Sequence, residues 1–280
     1  MNAKSKKMGL IGRNISYSLS AKIHNYAIEK FGLSEDYKLI EVENTTELAQ
    51  CIYELTESGG SGFNITQPYK AEAAKLFGEN EPINCVYKKN GRYFGTSTDG
   101  LGFARSLLHL GSSPNDFDKV IVFGNGSTAL SIAVFFLNQT KTSQSFFFIR
   151  RNEARDPIFQ NLFASHGKVC QLLDWSSEAF QSTLEKNPQE KTLIIQASSL
   201  RDADEFLIFE KILSKKFNVQ ALVDVNYNLK NPAFYRSCKE LNIPYQDGFA
   251  FLIEQALACQ MLWWGKKLEF NDVKSLLLIS

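Results

Sequence analysis

Short apolar runs alternate along this chain with stretches whose apolar positions recur at helical spacing. The runs predict strands at Gly9–Gly12, Tyr37–Val42, Gly62–Ile65, Ile83–Tyr87, Tyr93–Thr96, Lys119–Phe123, Ser145–Ile149, Val169–Leu173, Thr192–Gln196 and Ala221–Val225. Between them the longer period predicts helices, among them Ser20–Phe31, Thr46–Glu57, Tyr69–Phe77, Ser127–Asn138 and Ala233–Leu241. Strand and helix taking turns argues for an α/β fold with mostly parallel sheets. The hydrophilic stretch Gly111-Ser112-Ser113-Pro114-Asn115-Asp116 breaks the pattern, and a domain junction is expected near it.

Composition narrows the class. At 280 residues, 44% hydrophobic and 22% charged, the chain is globular and long enough for two domains. A net charge of +1, from 31 basic and 30 acidic residues, gives no footprint for nucleic acid or an anionic membrane. Lys4, Lys6 and Lys7 read as a solvated start that leads straight into Met8–Gly12, so no secretion signal is expected. The longest apolar stretch, Val120 to Leu137, is interrupted at Gly124–Thr128 and falls short of a membrane span. Five scattered cysteines, none in a CxxC pair, read as reduced thiols of a cytoplasmic protein. His24, His109 and His166 lie far apart, and no metal site is expected.

The second half opens on a nucleotide-binding pattern. A buried strand, Lys119–Phe123, runs into Gly124-Asn125-Gly126-Ser127-Thr128-Ala129 and then a helix. In that context Gly124 makes the tight turn, Gly126 lets a pyrophosphate approach the backbone, and Ala129 lets helix pack on strand. An ordinary strand-to-helix turn is the alternative. After the next strand an NAD site would want Asp or Glu for the ribose hydroxyls. This chain has Arg150, Arg151 and then Arg155, which suit the extra phosphate of NADP; a solvated basic corner is the alternative.

The stretch Gly62-Phe63-Asn64-Ile65-Thr66-Gln67-Pro68-Tyr69-Lys70 puts a lysine at the mouth of a helix. There it opposes the helix dipole by about 0.3–1 kcal/mol. Reducing a ketone by hydride needs a proton for the forming alkoxide, and a lysine ammonium can give it, worth about 10²–10⁴ in rate. Its candidate carboxylate is Asp99, between a strand and a helix, where an aspartate also serves as a cap. Spacing alone does not join the two.

Together the motifs resemble the shikimate dehydrogenase family, in order along nearly the whole chain. Gly9–Asn25 resembles the opening strand and Ser-x-Ser loop, with Ser18 and Ser20 at the serines. Gly62–Lys70 resembles the Asn-Val-Thr-x-Pro-x-Lys block, and Ile83–Phe103 the block that ends in Asn-Thr-Asp. Gly124–Ala129 stands at the glycine loop and Arg150–Arg155 at the arginine block. Asp224–Asn228 carries the family tyrosine, Tyr227, and Asp247–Gly265 the closing helix with Gln255.

The resemblance implies an NADP-dependent reduction of 3-dehydroshikimate to shikimate in the chorismate route to aromatic amino acids. Lys70 and Asp99 would form the acid–base pair. Ser18 and Ser20 would bind the substrate carboxylate, with Tyr227 near, and Asn64, Thr66, Asn84 and Gln255 would hold ring hydroxyls. Neutral hydroxyl and amide side chains suit a polyhydroxylated acid. Read singly, these residues could equally cap a helix, brace a turn or pack. Gly124, Asn125, Gly126, Ser127, Thr128, Ala129, Arg150, Arg151, Arg155, Ser198 and Gly248 would line the NADP site. The implied partners are this small molecule alone, without nucleic acid or membrane, in a monomer or homodimer.

The chain departs from the family at Ser97, Cys85, Asn152, Leu229, Ala250 and Phe251, and in its glycine loop. Gln196–Asp202 stands where the family has a glycine-bearing loop by the nicotinamide. Substrate-side residues are kept better than cofactor-side ones. A quinate/shikimate dehydrogenase of relaxed specificity, or a ligand-binding member with little activity, are the alternatives, and intact Lys70 and Asp99 favour the enzyme. The expected architecture is a substrate-binding α/β domain over 1–104, a Rossmann-like NADP domain over 105–246, and helices over 247–280 that return to the first domain, with the active site in the cleft between domains.

Overall fold

The computed structural model describes residues 6–140, 143–198, 213, 216–227 and 232–278. The chain divides into two units. One holds the residues up to Gly102 and those from Ile253 onward; the other is Phe103–Leu252.

In the first unit five strands form one sheet: β1 (Lys6–Gly12), β2 (Glu35–Glu41), β3 (Gly62–Ile65), β4 (Cys85–Lys89) and β5 (Arg92–Thr96), in the order β2-β1-β3-β4-β5. β1 runs parallel to β2 and β3, by way of helices α1 (Ser20–Phe31) and α2 (Thr45–Glu57). The helix α3 (Lys70–Phe77) follows β3. The sheets are mostly parallel, as expected; the antiparallel pairs among the described strands are β3–β4 and β4–β5 of this sheet. The β4–β5 pairing follows from the Asn90-Gly91 turn. Both residues have positive φ, 51° and 78°, and Lys89 pairs with Arg92. A two-residue Asn-Gly turn of this hand matches strand twist and makes a hairpin.

Among the described residues three further helices lie wholly or partly in this unit, one of them Phe270–Leu278 at its end. α4 (Asp99–Leu108) begins in it, and the last twelve residues of a long helix, which starts at Gly248, end in it at Trp264. The Trp263 indole donates to Val86 O at 2.8 Å and that of Trp264 to Glu35 Oε2 at 2.7 Å, which ties the helix to β4 and β2. Met8, Leu10, Ile28, Tyr37, Cys85, Cys259 and Trp263 pack together in this region.

The second unit carries six strands: β6 (Lys119–Phe123), β7 (Ser145–Arg150), β8 (Cys170–Asp174), β9 (Thr192–Gln196), β10 (Val219–Asp224) and β11 (Tyr245–Gln246). Their order is β11-β10-β9-β6-β7-β8, parallel throughout. The chain winds outward from β6 to β8 and resumes on the other side of β6 with β9, so the order reverses between β6 and β9. In open α/β sheets ligands bind outside the strand ends at that switch point. The expected strand at Val169 begins one residue later, and Val169 itself is 84% exposed.

Among the described residues the helices lying wholly in this unit include α5 (Ser127–Gln139), α6 (Asp156–Ser165), α7 (Ser177–Glu185) and α8 (Pro232–Leu241). β7 shows why the sheet is apolar on both faces. Phe146 and Phe148 pack with Phe136, Phe159 and Phe163; the alternate Phe147 and Ile149 pack with Phe123, Phe180 and Phe234. A parallel strand covered on both faces reads as an unbroken apolar run. Among the described residues no helix is long and apolar enough to cross a membrane.

Candidate active site

Lys70 is the first residue of α3 and Asp99 the first of α4. The two elements bring Lys70 Nζ to 2.5 Å from Asp99 Oδ2, with side chains only 8% and 3% exposed. A buried ion pair needs its remaining polar groups satisfied. Asn84 does this for the carboxylate: its Nδ2 donates to Asp99 Oδ1 at 2.9 Å. The same nitrogen shares its two hydrogens with Thr98 Oγ1 at 2.9 Å and Gln255 Oε1 at 3.1 Å as well, while Asn84 Oδ1 accepts from Thr98 N at 2.7 Å. Gln255 comes this close because Gly102 has no side chain. A Cβ there would lie 2.7 Å from the Gln255 backbone nitrogen. Lys70, Asp99, Asn84 and Gln255, four of the sequence-derived site residues, thus form one connected cluster. Thr98 belongs to it and was missed in the sequence, although it sits directly before Asp99.

Ser18 and Ser20 lie together where the loop after β1 enters α1. Their Oγ atoms are 3.2 Å apart, and Ser20 N donates to Ser18 Oγ at 3.3 Å. Neither caps α1 with its side chain, since the cap residue is Leu19. Thr66 is half-buried; its backbone donates to Ile11 O at 2.9 Å, which holds the loop before Lys70 against β1.

Asn64 stands differently from the expectation that it holds a ring hydroxyl. It is buried, its Oδ1 accepts from Tyr37 OH at 2.7 Å, and its Nδ2 donates to Asn84 O at 3.0 Å and Cys259 Sγ at 3.2 Å. A carboxamide has two donor hydrogens. Both are engaged inside the protein, so Asn64 braces β4 instead of offering donors outward.

In the second unit the glycine loop joins β6 to α5. Gly124 has φ 104°, and a Cβ there would lie 2.9 Å from Ser198 N, so the loop closes on the residue that follows β9. At Gly126 a Cβ would meet nothing within 4 Å. Gly126 caps α5, and no side chain bonds the cap. An open backbone at a helix N-terminus fits an anionic group, by its free N–H groups and the helix dipole. Ser127 is buried and accepts from Arg155 Nη1 at 3.2 Å, while Asn125 Nδ2 donates to Asn152 O at 2.8 Å. These residues fit the pyrophosphate of a dinucleotide. Thr128 is half-buried and Ala129 fully buried against the sheet.

The arginines divide. Arg151 is exposed and lies over the Trp175 ring, 4.6 Å from its centroid, and Arg155 reaches the glycine loop. Arg150 is buried and faces carboxylates of its own chain: Asp156 at 2.8 Å, Glu153 at 3.4 Å, and Asp174. Asp156 above all, and then Asp174, holds its guanidinium ionised. Arg150 therefore stiffens the end of β7, in contrast to the phosphate-binding role expected from its position. The signal was in the sequence as Asp156 six residues on, but the placement of Asp174 on the neighbouring strand was not.

Ser198, Tyr227 and Gly248 belong to a network at the ends of β9 and β10. Ser198 N donates to Gln196 Oε1 at 3.0 Å; Asn226 Nδ2 donates to Ser198 O at 3.2 Å and Asp224 Oδ1 at 2.9 Å. Burial, with Asp247 adding, pushes the Asp224 carboxyl up to about 7. A Cβ on Gly248 would lie 2.4 Å from Val225 O, so this glycine lets the long helix α9 (Gly248–Trp264) start against the loop after β10. Tyr227 is half-buried, with its ring 5.9 Å from that of Phe249. Gln196, Asp224 and Asn226 were not singled out in the sequence. Residues 199–202 of the altered loop, and Leu229, lie outside the described residues. Among the described residues no group of three or more His, Cys, Asp or Glu could hold a metal ion, and the five cysteines are free thiols.

Comparison with known proteins agrees with this arrangement. A family model described as the shikimate dehydrogenase substrate binding domain matches residues 10–83. A shikimate dehydrogenase (NADP(+)) of Desulforamulus reducens is 26% identical over 276 residues, covering 95% of this chain and 92% of that protein. A protein of the same name from Chlorobaculum tepidum is 25% identical over 289 residues, covering 99% and 97%. The crystal structure of shikimate dehydrogenase from Aquifex aeolicus superposes with a TM-score of 0.80 at 22% identity, covering 99% of each chain, which shows the same fold.

Proposed function

We propose that this chain, similar to shikimate dehydrogenases along nearly its whole length, is an NADP-dependent oxidoreductase of that family that interconverts 3-dehydroshikimate and shikimate. The observation that carries this reading is the buried Lys70–Asp99 pair, 2.5 Å apart and held by Asn84. NADPH, when bound, supplies the hydride. The chain's own residues supply the rest.

Lys70 Nζ gives the proton that the substrate oxygen gains as its carbonyl carbon is reduced, and the same pair takes that proton back in the oxidation. Asp99 accepts the lysine's hydrogen bond and fixes its direction. A placed acid or base of this kind contributes about 10²–10⁴ in rate. Asn84 keeps Asp99 from rotating, and its bond to Gln255 sets the glutamine amide toward the ring hydroxyls. Ser18 and Ser20, hydroxyls side by side, receive the substrate carboxylate. Thr66 adds a hydroxyl next to Lys70's loop, and Tyr227 offers a further hydroxyl to the substrate carboxylate. A site of neutral donors rejects analogues that lack a hydroxyl, because its own polar groups are then left unpaired.

Gly124, Gly126, Ser127 and the start of α5 hold the pyrophosphate. Arg151 and Arg155 hold the extra phosphate of NADP, with Arg151's planar group stacked on Trp175 and so held out for bidentate contact. The test is the initial rate of nicotinamide reduction with shikimate and with quinate, each with NADP and with NAD. The reading requires the highest rate with shikimate and NADP. A rate confined to quinate, or to NAD, keeps the chemistry and replaces the specificity. No rate in any combination, with shikimate still binding by calorimetry, makes the chain a binding protein.

A further inference from the structure

The Lys70–Asp99 pair is the end of a longer buried chain of contacts that begins on the edge strand β2, at Tyr37. Tyr37 lies on β2 and is 1% exposed. Its backbone is clamped by Asn25 of α1, whose Nδ2 donates to Tyr37 O at 2.8 Å and whose Oδ1 accepts from Tyr37 N at 3.1 Å. Its ring is packed by His24, 4.6 Å between centroids, and by Trp263, 6.1 Å. Ring and backbone are thus both fixed, and the hydroxyl has one direction. It points at Asn64 Oδ1, 2.7 Å away.

That bond, together with the Asn84 carbonyl, which can only accept, sets which way the Asn64 carboxamide faces. With Oδ1 toward Tyr37, the two N–H groups point to Asn84 O at 3.0 Å and Cys259 Sγ at 3.2 Å. Cys259 also meets Thr98 Oγ1 at 3.3 Å. Asn84 then has its backbone held by Asn64 and its side chain spread over Thr98, Asp99 and Gln255. Burial pushes the Tyr37 phenol well above its ordinary ionisation, with Cys259 and Cys85 adding, so it remains a donor. A carboxamide turned the other way would set its oxygen against the Asn84 carbonyl and lose the phenol's donated bond, and a buried polar group in the wrong company costs more than the bond it loses.

We infer that Tyr37 is a positioning residue for the proposed reaction: its hydroxyl orients Asn64, and through Asn64 and Asn84 it fixes the carboxylate that holds Lys70. Cys259 anchors the same carboxamide from the closing helix. Neither residue reaches the reacting atoms. The inference rests on the Lys70–Asp99 reading for its consequence in rate, though the geometry it claims is independent of turnover.

The test uses the full chain with Tyr37→Phe, which removes one oxygen. If the parent turns shikimate over, kcat falls about tenfold, the scale of one buried hydrogen bond. The KM for shikimate and the Kd for NADP stay near the parent values. The loss is absent when Tyr37→Phe is added to Asn64→Ala, because both act through one carboxamide. Cys259→Ala releases that carboxamide from the other side, lowers kcat in the same way, and serves where Tyr37→Phe does not fold. A kcat equal to the parent's in either folded variant, or losses that add in the double variant, overturns the inference. The side-chain amide NMR signals of Asn84 report on it even if the parent has no activity. They shift in Tyr37→Phe, and unmoved signals overturn it.

Discussion

Asp99 Oδ2 accepts from Lys70 Nζ at 2.5 Å, and its other oxygen accepts from Asn84 at 2.9 Å, in a setting where both charged side chains are nearly out of contact with solvent. Removing one member of such a pair strands the other charge. We expect Asp99→Ala to destabilise the first unit by about 3–5 kcal/mol. Urea denaturation of the variant and the parent measures this, and equal midpoints would show the pair to be unimportant to folding.

The arginines of the block after β7 should separate by phenotype. Arg150→Ala removes the partner of Asp156 and lowers stability by about 1–3 kcal/mol, the cost of leaving buried polar groups unsatisfied. Arg151→Ala should leave the melting temperature alone and raise the KM for NADP about tenfold, the scale of one charge-assisted hydrogen bond. The opposite assignment, with Arg150 governing KM, would return Arg150 to the phosphate.

Much of this was legible in the sequence, and the illegible parts have a common cause. The glycine loop could be read because one residue at each of a few adjacent positions makes the turn, the open approach and the helix packing. The unbroken run at Phe146–Ile149 announced a strand covered on both faces. The first sheet was harder. Apolar runs do not state direction, and the Asn90-Gly91 turn that makes β4 and β5 antiparallel was not singled out. The second layer of the site was hidden altogether. Asn64 meets Cys259 across 195 positions, and Tyr37 faces Asn64 only because β2 and β3 flank β1. Arg150 looked like a ligand residue because its carboxylates come from the next helix and the neighbouring strand.

Asp224 makes stability depend on pH. Its carboxyl ordinarily titrates at 3.8 and is pushed up to about 7 by burial, with Asp247 adding. Between about pH 4 and pH 7 the folded chain holds a proton there that the unfolded chain has released, so this group's contribution falls as pH rises through that window. Asp224→Asn keeps an oxygen for Asn226 and loses the titration. Urea denaturation at pH 5 and pH 8 should show the variant gaining on the parent at pH 8. The same difference at both values would contradict the assignment.

His24 acts in the opposite sense. Neither ring nitrogen has a hydrogen-bond partner among the described residues, and the ring packs between Tyr37 and Trp263. Burial lowers it from 6.5 to about 3. The stability this provides is present above pH 6.5 and is lost as pH falls toward 3, because the unfolded chain takes the proton first. His24→Leu should flatten the acid limb of a melting-temperature profile between pH 7 and pH 4. An unchanged limb would place the acid sensitivity elsewhere.

The central claim is that Lys70 moves the proton in an NADP-linked oxidation of shikimate. The direct measurement is turnover of shikimate with NADP by Lys70→Ala and by the parent, followed through the reduced nicotinamide, with shikimate binding measured on both by calorimetry. The account predicts a loss of about 10²–10⁴ in kcat, with binding within a few-fold of the parent. Turnover near the parent's in a variant that still binds shikimate would remove Lys70 from the chemistry.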